Sequence, residues 1–270
     1  MKHSVLHEIA ENVKVKLEER RKQVSHQELE KKLATARTPH PFASAFLTPG
    51  IHTIAEVKFK SPALGVLESA SLATATQIAK SYLEGGATAI SVLTEETYFH
   101  GNLAYLKEIR KLNPSALLLM KDFILEEYQI MEGLCAGADA ILLIVSLLGI
   151  KRVRELMNFA QKLGLSALIE VHDEQELRDA LSLDSSLIGI NNRNLKTLEV
   201  NITTSFDLLK TVEMKAHPKT AFISESGIKT AQEMKALHQA GFSGFLIGST
   251  LMTSSNPGES LEKLLHEAAS

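Results

Sequence analysis

A chain of 270 residues with 44% hydrophobic and 23% charged content has the composition of a globular enzyme and the length of one large core. Its formal net charge of −3 gives no long-range attraction toward nucleic acid or anionic lipid, so an anionic ligand must be caught by a local arrangement. Cys135 is the only cysteine, which excludes an intramolecular disulfide and fits a reducing compartment. It is expected to be a small buried residue.

In chain order, Met1 to Gln23 mixes acidic and basic residues without a continuous apolar stretch, unlike a secretory signal. Ile9, Val13 and Leu17 fall four apart and predict an amphipathic helix, packed on the same protein rather than on a membrane. Thr38-Pro39-His40-Pro41 closes this helical region, because proline disfavours helix in the residue before it. The longest apolar run, Ala138 to Ile150, is interrupted and shorter than the ~20 residues of a membrane span. A cytoplasmic protein with neither membrane nor nucleic-acid partner is expected.

From Ile51 onward short apolar runs alternate with amphipathic stretches. The runs are Ile51–Val57, Ala87–Leu93, Ala116–Met120, Ala140–Ile144, Ser166–Ile169, Leu187–Ile190, Ala221–Ile223 and Gly244–Ile247. Eight strands, apolar at nearly every position, predict a parallel sheet covered on both faces. A weak repeat runs through Gly86-Ala-Thr-Ala-Ile, Gly137-Ala-Asp-Ala-Ile and Gly241-Phe-Ser-Gly-Phe. The first pair lies two units of about 26 residues apart and the second pair four, placing the segments on strands two, four and eight. The expectation is an α/β protein, a (β/α)8 TIM barrel over 48–270, with an N-terminal helical extension over 1–47 packed on it as one structural domain. Spacing alone also allows an open doubly wound sheet.

Function in such folds collects after the carboxyl ends of the strands. There the chain carries Glu56, Lys58, Lys60 and Ser61, then Thr94-Glu95-Glu96, Lys121-Asp122, Glu170, Asn191-Asn192-Arg193, Ser224-Glu225-Ser226-Gly227 and Gly248-Ser249-Thr250. Glu56 and Lys58 are two apart on an extended strand and share a side, either as part of a site or as an ion pair capping the core. Lys121 and Glu170 each follow a buried run, where desolvation and charged neighbours move a pKa. A lysine shifted down and a glutamate shifted up are the expected acid–base groups. Ser226-Gly227 and Gly248-Ser249 lie in the two loops that often hold phosphate, with ordinary helix capping as the alternative.

Neither a nucleotide-binding glycine loop nor a zinc or serine-hydrolase motif occurs, and the ten histidines lack metal-ligand spacing. His100 and His172 are taken as loop residues. The expected site uses no metal and no cofactor, and its partner is a phosphorylated small molecule.

Seven segments, Ile54-Ala-Glu-Val-Lys-Phe-Lys-Ser-Pro62, Ser91-Val-Leu-Thr-Glu-Glu-Thr-Tyr-Phe99, Leu119-Met-Lys-Asp-Phe123, Ala167-Leu-Ile-Glu-Val171, Gly189-Ile-Asn-Asn-Arg-Asn-Leu195, Ser224-Glu-Ser-Gly-Ile228 and Leu246-Ile-Gly-Ser249, occur in this order. Together they resemble the indole-3-glycerol phosphate synthases of tryptophan biosynthesis, over about Pro41 to the C-terminus. The resemblance implies a carboxy-lyase that closes an indole ring with loss of CO2 and water. It implies Lys121 as general acid, and Glu170 with Lys58 for the proton transfers of dehydration. Lys58 also pairs with the substrate carboxylate while Glu56 holds it. Asn191 and Arg193 contact hydroxyls and the anthranilate end, and Glu225 helps place the sugar. Phe99 and Leu142 form the aromatic slot, and Ser61, Ser226, Gly227, Gly248 and Ser249 hold phosphate.

Two departures stand out: Ala63-Leu64-Gly65 replaces a loop that in the family often carries a second serine and a lysine, and the N-terminal helix has no tryptophan. A barrel isomerase and a catalytically silent phosphometabolite binder are the alternatives, and a monomer or weak homo-oligomer is expected.

Overall fold

The computed structural model describes residues 5–270; the first four residues of the predicted 1–47 extension lie outside the described residues. Eight parallel strands form the frame: β1 (His52–Val57), β2 (Ala89–Leu93), β3 (Leu118–Lys121), β4 (Ala140–Ile144), β5 (Ser166–Val171), β6 (Leu187–Asn191), β7 (Ala221–Glu225) and β8 (Gly244–Ile247). Each pairs with the next and β8 pairs with β1, so the sheet is a closed barrel and the open-sheet alternative falls. The predicted repeat is physical: Gly86, Gly137 and Gly241 all take positive φ, ending a helix before β2, β4 and β8.

Three boundaries move inward, since β1, β2 and β3 begin at His52, Ala89 and Leu118. Four move outward, so that Lys121, Glu170, Asn191 and Glu225 lie on strands rather than in loops. An apolar run marks where both faces of a strand are dry, and backbone pairing continues past it into the polar rim.

Alternation divides the core. Ile54, Leu119, Leu142, Leu168, Leu187, Ile223 and Leu246 fill the barrel interior. Ala55, Val57, Met120, Ile141, Ile169, Ile188 and Phe222 face the surrounding helices. Glu56, Lys121, Glu170, Asn191 and Glu225 share parity with the interior set, so each strand that carries them runs apolar at its base and ionisable or polar at its top.

Before the barrel, α1 (Val5–Gln23) buries Ile9, Val13 and Leu17, as its spacing predicts. α2 (His26–Leu33) starts with a Ser25 capping box. Leu17 and Leu29 pack with Tyr128 and Met131 of the helix Glu127–Ala136, and Cys135 beside them is half-buried rather than buried. Arg20 bonds Glu132 at 2.9 Å and Arg21 pairs with Glu126, tying α1 to the same helix.

The chain then runs to the opposite end of the barrel. There fully buried Asp139, just before β4, accepts from Arg110 Nη2 at 2.5 Å, Leu118 N at 2.9 Å and His40 N at 2.7 Å, and pairs with Arg37. Phe42 and Phe46 of and beside α3 (Phe42–Ala45) close that end, their rings 5.3 Å apart.

Asp139→Ala strips a buried guanidinium of its counter-charge and should lower stability by about 3–5 kcal/mol. A urea midpoint indistinguishable from wild type would show that this junction contributes nothing. Activity per folded molecule should be unchanged, because Asp139 lies at the far end of the strands from the cavity described below.

Candidate active site

At the carboxyl ends of the strands lies a cavity of about 520 Å³. Glu56, Lys58, Ser61, Phe99, Lys121, Leu142, Glu170, Asn191, Arg193, Ser226, Gly227, Gly248 and Ser249 all line it. Of the site residues predicted from sequence, only Glu225 is absent from the lining. It is fully buried and reaches the cavity through Lys121.

Lys121 Nζ sits 3.1 Å from Glu56 Oε2 and 3.1 Å from Glu225 Oε2. Glu56 also pairs with Lys58, as their spacing on one strand requires. Two glycines make room for this cluster. A Cβ at Gly189 would overlap the Glu225 carboxylate, and one at Gly248 would overlap Glu56 and crowd Lys58 Nζ. Gly248 therefore serves the charge cluster as well as the neighbouring loop.

The electrostatics correct two expectations. Burial alone would lower the Lys121 pKa, but the carboxylates of Glu56, Glu225 and Glu170 override it and hold the ammonium above its ordinary value. Burial alone would raise Glu170, but His172, Lys121 and Asn191 hold it well below the usual carboxylate range. Glu56 behaves alike: Lys121 and Lys58 outweigh burial and bring it to about 2. Glu225 is the carboxyl that burial pushes up, to about 8, with Glu170 and Glu56 adding repulsion that Lys121 only partly offsets. Sequence shows that a carboxylate will be buried, but not which of three neighbouring carboxylates receives the cations.

His172 is more than a loop residue. Its Nε2 lies 3.2 Å from Glu170 Oε1 and its Nδ1 3.2 Å from Glu176 Oε2, and these carboxylates raise its pKa to about 10 against the effect of burial. The signal in the sequence was its spacing, two residues after Glu170 on extended chain. His100 caps the short helix Glu96–Phe99 in left-handed conformation.

Over β7 and β8, Ser226 (φ 67°) and Gly227 (φ 84°) both take left-handed backbone, which is uncommon for serine and marks a constrained turn. Asn192, facing away from the cavity, pins this turn by donating to Ser226 O at 3.0 Å and Ser224 Oγ at 3.2 Å. Helix capping describes Gly248, the N-cap residue of the short helix Ser249–Met252, but not Ser226 and Gly227. Thr230 carries the capping box of the helix Ala231–Ala240, and no side chain caps the short helix Ser249–Met252. Ser61 follows β1, the strand paired with β8, and its Oγ accepts from Leu64 N at 3.2 Å.

The apolar wall extends beyond the prediction. Phe99 faces Phe123 at 5.9 Å between ring centres, with Leu142 and Ile144 beside them in the lining. The carboxylate of Glu95 fixes the turn that presents Phe99, accepting from the backbone N–H of Thr97, Tyr98 and Phe99. Val5, Leu6 and Ile9 of α1 and Leu195, Leu198 and Val200 of the loop after β6 also line the cavity, and sequence reasoning missed all six. Ala63 and Leu64 line it without offering a second hydroxyl. Arg193 donates to Leu198 O at 2.8 Å, which braces that loop.

Among solved structures, 3-hexulose-6-phosphate synthase from Salmonella typhimurium aligns over 81% of this chain and 98% of its own, with a TM-score of 0.65. At 14% identity it shares the barrel alone. Indole-3-glycerol phosphate synthase of Ruminiclostridium cellulolyticum is 40% identical over 262 residues, 96% of this chain and 98% of the relative. That of Lachnoclostridium phytofermentans is 45% identical over 216 residues, 80% of this chain and 77% of the relative. The family model described as indole-3-glycerol phosphate synthase matches residues 6–264, and with these likenesses over the same residues that build the cavity, the chain belongs to the indole-3-glycerol phosphate synthase family.

Proposed function

We propose that the chain catalyses the reaction for which its family is named, converting 1-(2-carboxyphenylamino)-1-deoxyribulose 5-phosphate to indole-3-glycerol phosphate with release of CO2 and water. The observation that carries this reading is the charged Lys121 between two carboxylates on the floor of a cavity with one hydroxyl- and glycine-rich side and one aromatic side.

Each half of the substrate has a matching wall. Its phosphate meets Ser226, Gly227, Gly248 and Ser249, with Ser61 after the neighbouring β1, where backbone N–H groups and hydroxyls supply donors without a net charge. Its anthranilate ring lies against Phe99, Phe123 and Leu142, and its carboxylate pairs with Lys58 and Arg193. Binding both ends fixes the ring carbon against the sugar carbonyl, which removes most of the orientational entropy of ring closure.

As the ring carbon attacks the carbonyl carbon, the C=O electron pair moves to oxygen. Lys121 donates its Nζ proton there. Because Lys121 is held charged, its contribution begins as stabilisation of the growing negative charge and is completed by proton transfer once the oxygen becomes the stronger base. Loss of CO2 returns its bonding pair to the ring and restores aromaticity. Dehydration then takes a proton from the neighbouring CH2 carbon and delivers one to the departing hydroxyl. Glu170 and Lys58 handle these two protons, and Asn191 steadies Glu170. Glu225 acts through Lys121 rather than by touching the sugar.

Purified protein given this substrate in chelator should develop indole fluorescence, and Lys121→Ala should slow it by on the order of 10²–10⁴-fold. Absence of fluorescence from folded wild type that still binds the substrate would overturn the reading. Gly189→Ala should displace Glu225 and with it Lys121, lowering kcat by on the order of 100-fold while the barrel still folds. An unaltered kcat would show that the carboxylate has room to move. Phe99→Ala should weaken an anthranilate analogue by roughly 1.5–3 kcal/mol and leave inorganic phosphate binding unchanged. Equal affinity for the analogue in mutant and wild type would remove Phe99 from the slot.

A further inference from the structure

We infer that His172 is a positioning residue for the reaction, a clamp that holds Glu170 ionised and aimed into the cavity by anchoring it to the helix Glu174–Leu181. The inference rests on the acid–base role proposed above for Glu170 and adds the group that makes that role possible.

Glu170 lies on β5 and His172 follows one residue past its end at Val171. Glu170 lines the cavity and is almost fully buried, whereas His172 does not line the cavity. The imidazole stands behind the carboxylate, with Nε2 3.2 Å from Glu170 Oε1. Its other nitrogen lies 3.2 Å from Glu176 Oε2, and that same oxygen accepts the His172 backbone N–H at 2.8 Å. Glu176 is itself fixed in the first turn of its helix, where Asp173 caps by accepting from Glu176 N at 2.9 Å. The chain Glu170–His172–Glu176 thus connects a catalytic carboxylate to a rigid element outside the cavity.

The other groups facing Glu170 are Lys121 from β3, Asn191 from β6 and Glu225 from β7. Lys121 is already shared by Glu56 and Glu225 at 3.1 Å each. His172 faces only Glu170 and Glu176 among the charged groups that shift it. Without its cation, Glu170 would keep the full effect of burial and only part of one ammonium, which favours its neutral form. Nδ1 is hydrogen-bonded to Glu176 Oε2, while Nε2 meets Glu170 Oε1 as an ion-pair contact outside hydrogen-bond geometry, so the imidazolium acts on Glu170 through its charge.

The sign of the pH effect follows. Glu170 acts as a carboxylate, so raising its pKa removes active enzyme from the acid side. In wild type the acid limb of kcat should lie below pH 5. In His172→Gln it should move up by at least one pH unit, with kcat reduced about 10-fold or more at pH 6 and largely recovered at pH 8. KM should stay within about twofold, because the imidazole does not touch the cavity. Glu176→Gln removes only the outer anchor and should shift the limb in the same direction by less. It also carries the test if His172→Gln does not fold. In wild type the His172 ring proton resonances should stay at imidazolium positions through pH 8.

Superimposable pH profiles for wild type and both variants, with Glu170→Gln inactive, would overturn the clamp while leaving the role of Glu170 intact. Wild-type turnover in Glu170→Gln would instead overturn the proposed role of Glu170 and the clamp with it. A rise in KM at unchanged kcat would also overturn the clamp, since that is the mark of lost binding.

Discussion

Three carboxylates and two ammonium groups share the floor of this cavity, and the molecule is arranged around keeping them there. An isolated charge at that depth is prohibitively costly, and even a pair repays its desolvation only with good geometry. Here Lys121 is held by Glu56 and Glu225, Glu56 also holds Lys58, and Glu170 takes His172 as a further cation. The balance leaves one member short. Glu225, with a single lysine contact and two repelling neighbours, is the group whose proton affinity rises toward neutrality. It is also the one member of the set that does not line the cavity, so the least settled charge is kept away from bound ligand.

The barrel supplies what this cluster requires. Parallel strands with alternating side chains place every second residue inside, and closure points all the interior rows at one axis. Ile54 beneath Glu56, Leu119 beneath Lys121, Leu168 beneath Glu170 and Ile223 beneath Glu225 make a dry base under a charged layer. Side chains from different strands meet there only if small residues fill the gaps between them. Gly189 and Gly248 occupy two such gaps. In this light glycine in a strand or at its end is a spatial requirement of the charges beside it.

Alternation is also why so much was legible from residues alone. All eight strands were predicted from apolar runs, and Glu56 with Lys58 was paired by parity. The strand ends supplied most of the charged and hydroxyl-bearing part of the cavity lining, while much of its apolar part came from elsewhere. What escaped depends on distances between segments remote in sequence. The pKa direction of Lys121 is set by Glu56 on β1 and Glu225 on β7, and that of Glu170 by nearby His172 together with remote Lys121 and Asn191, so burial considered alone gives both the wrong sign. Val5, Leu6 and Ile9 show only a helical period in sequence, and nothing in that period says what the helix covers. Leu198 and Val200 sit in a loop without periodicity, brought to the cavity by the reach of Arg193.

The N-terminal segment joins the two ends of the molecule. Phe42 and Phe46 plug one end, Arg37 and His40 are fixed by Asp139 beside them, and α1 reaches the other end to line the cavity. Between those points it is held along one side of the barrel by Arg20 and Arg21 on the helix Glu127–Ala136. The plug end is apolar and deeply buried, whereas much of α1 consists of exposed charged residues in i,i+3 pairs such as Lys14 with Glu11, which contribute little each. What holds α1 in place is instead its inward stripe, with Ile9, Ala10, Val13 and Leu17 all buried. Val5, Leu6 and Ile9 thereby carry an apolar patch to the same cavity whose aromatic wall is Phe99 and Phe123.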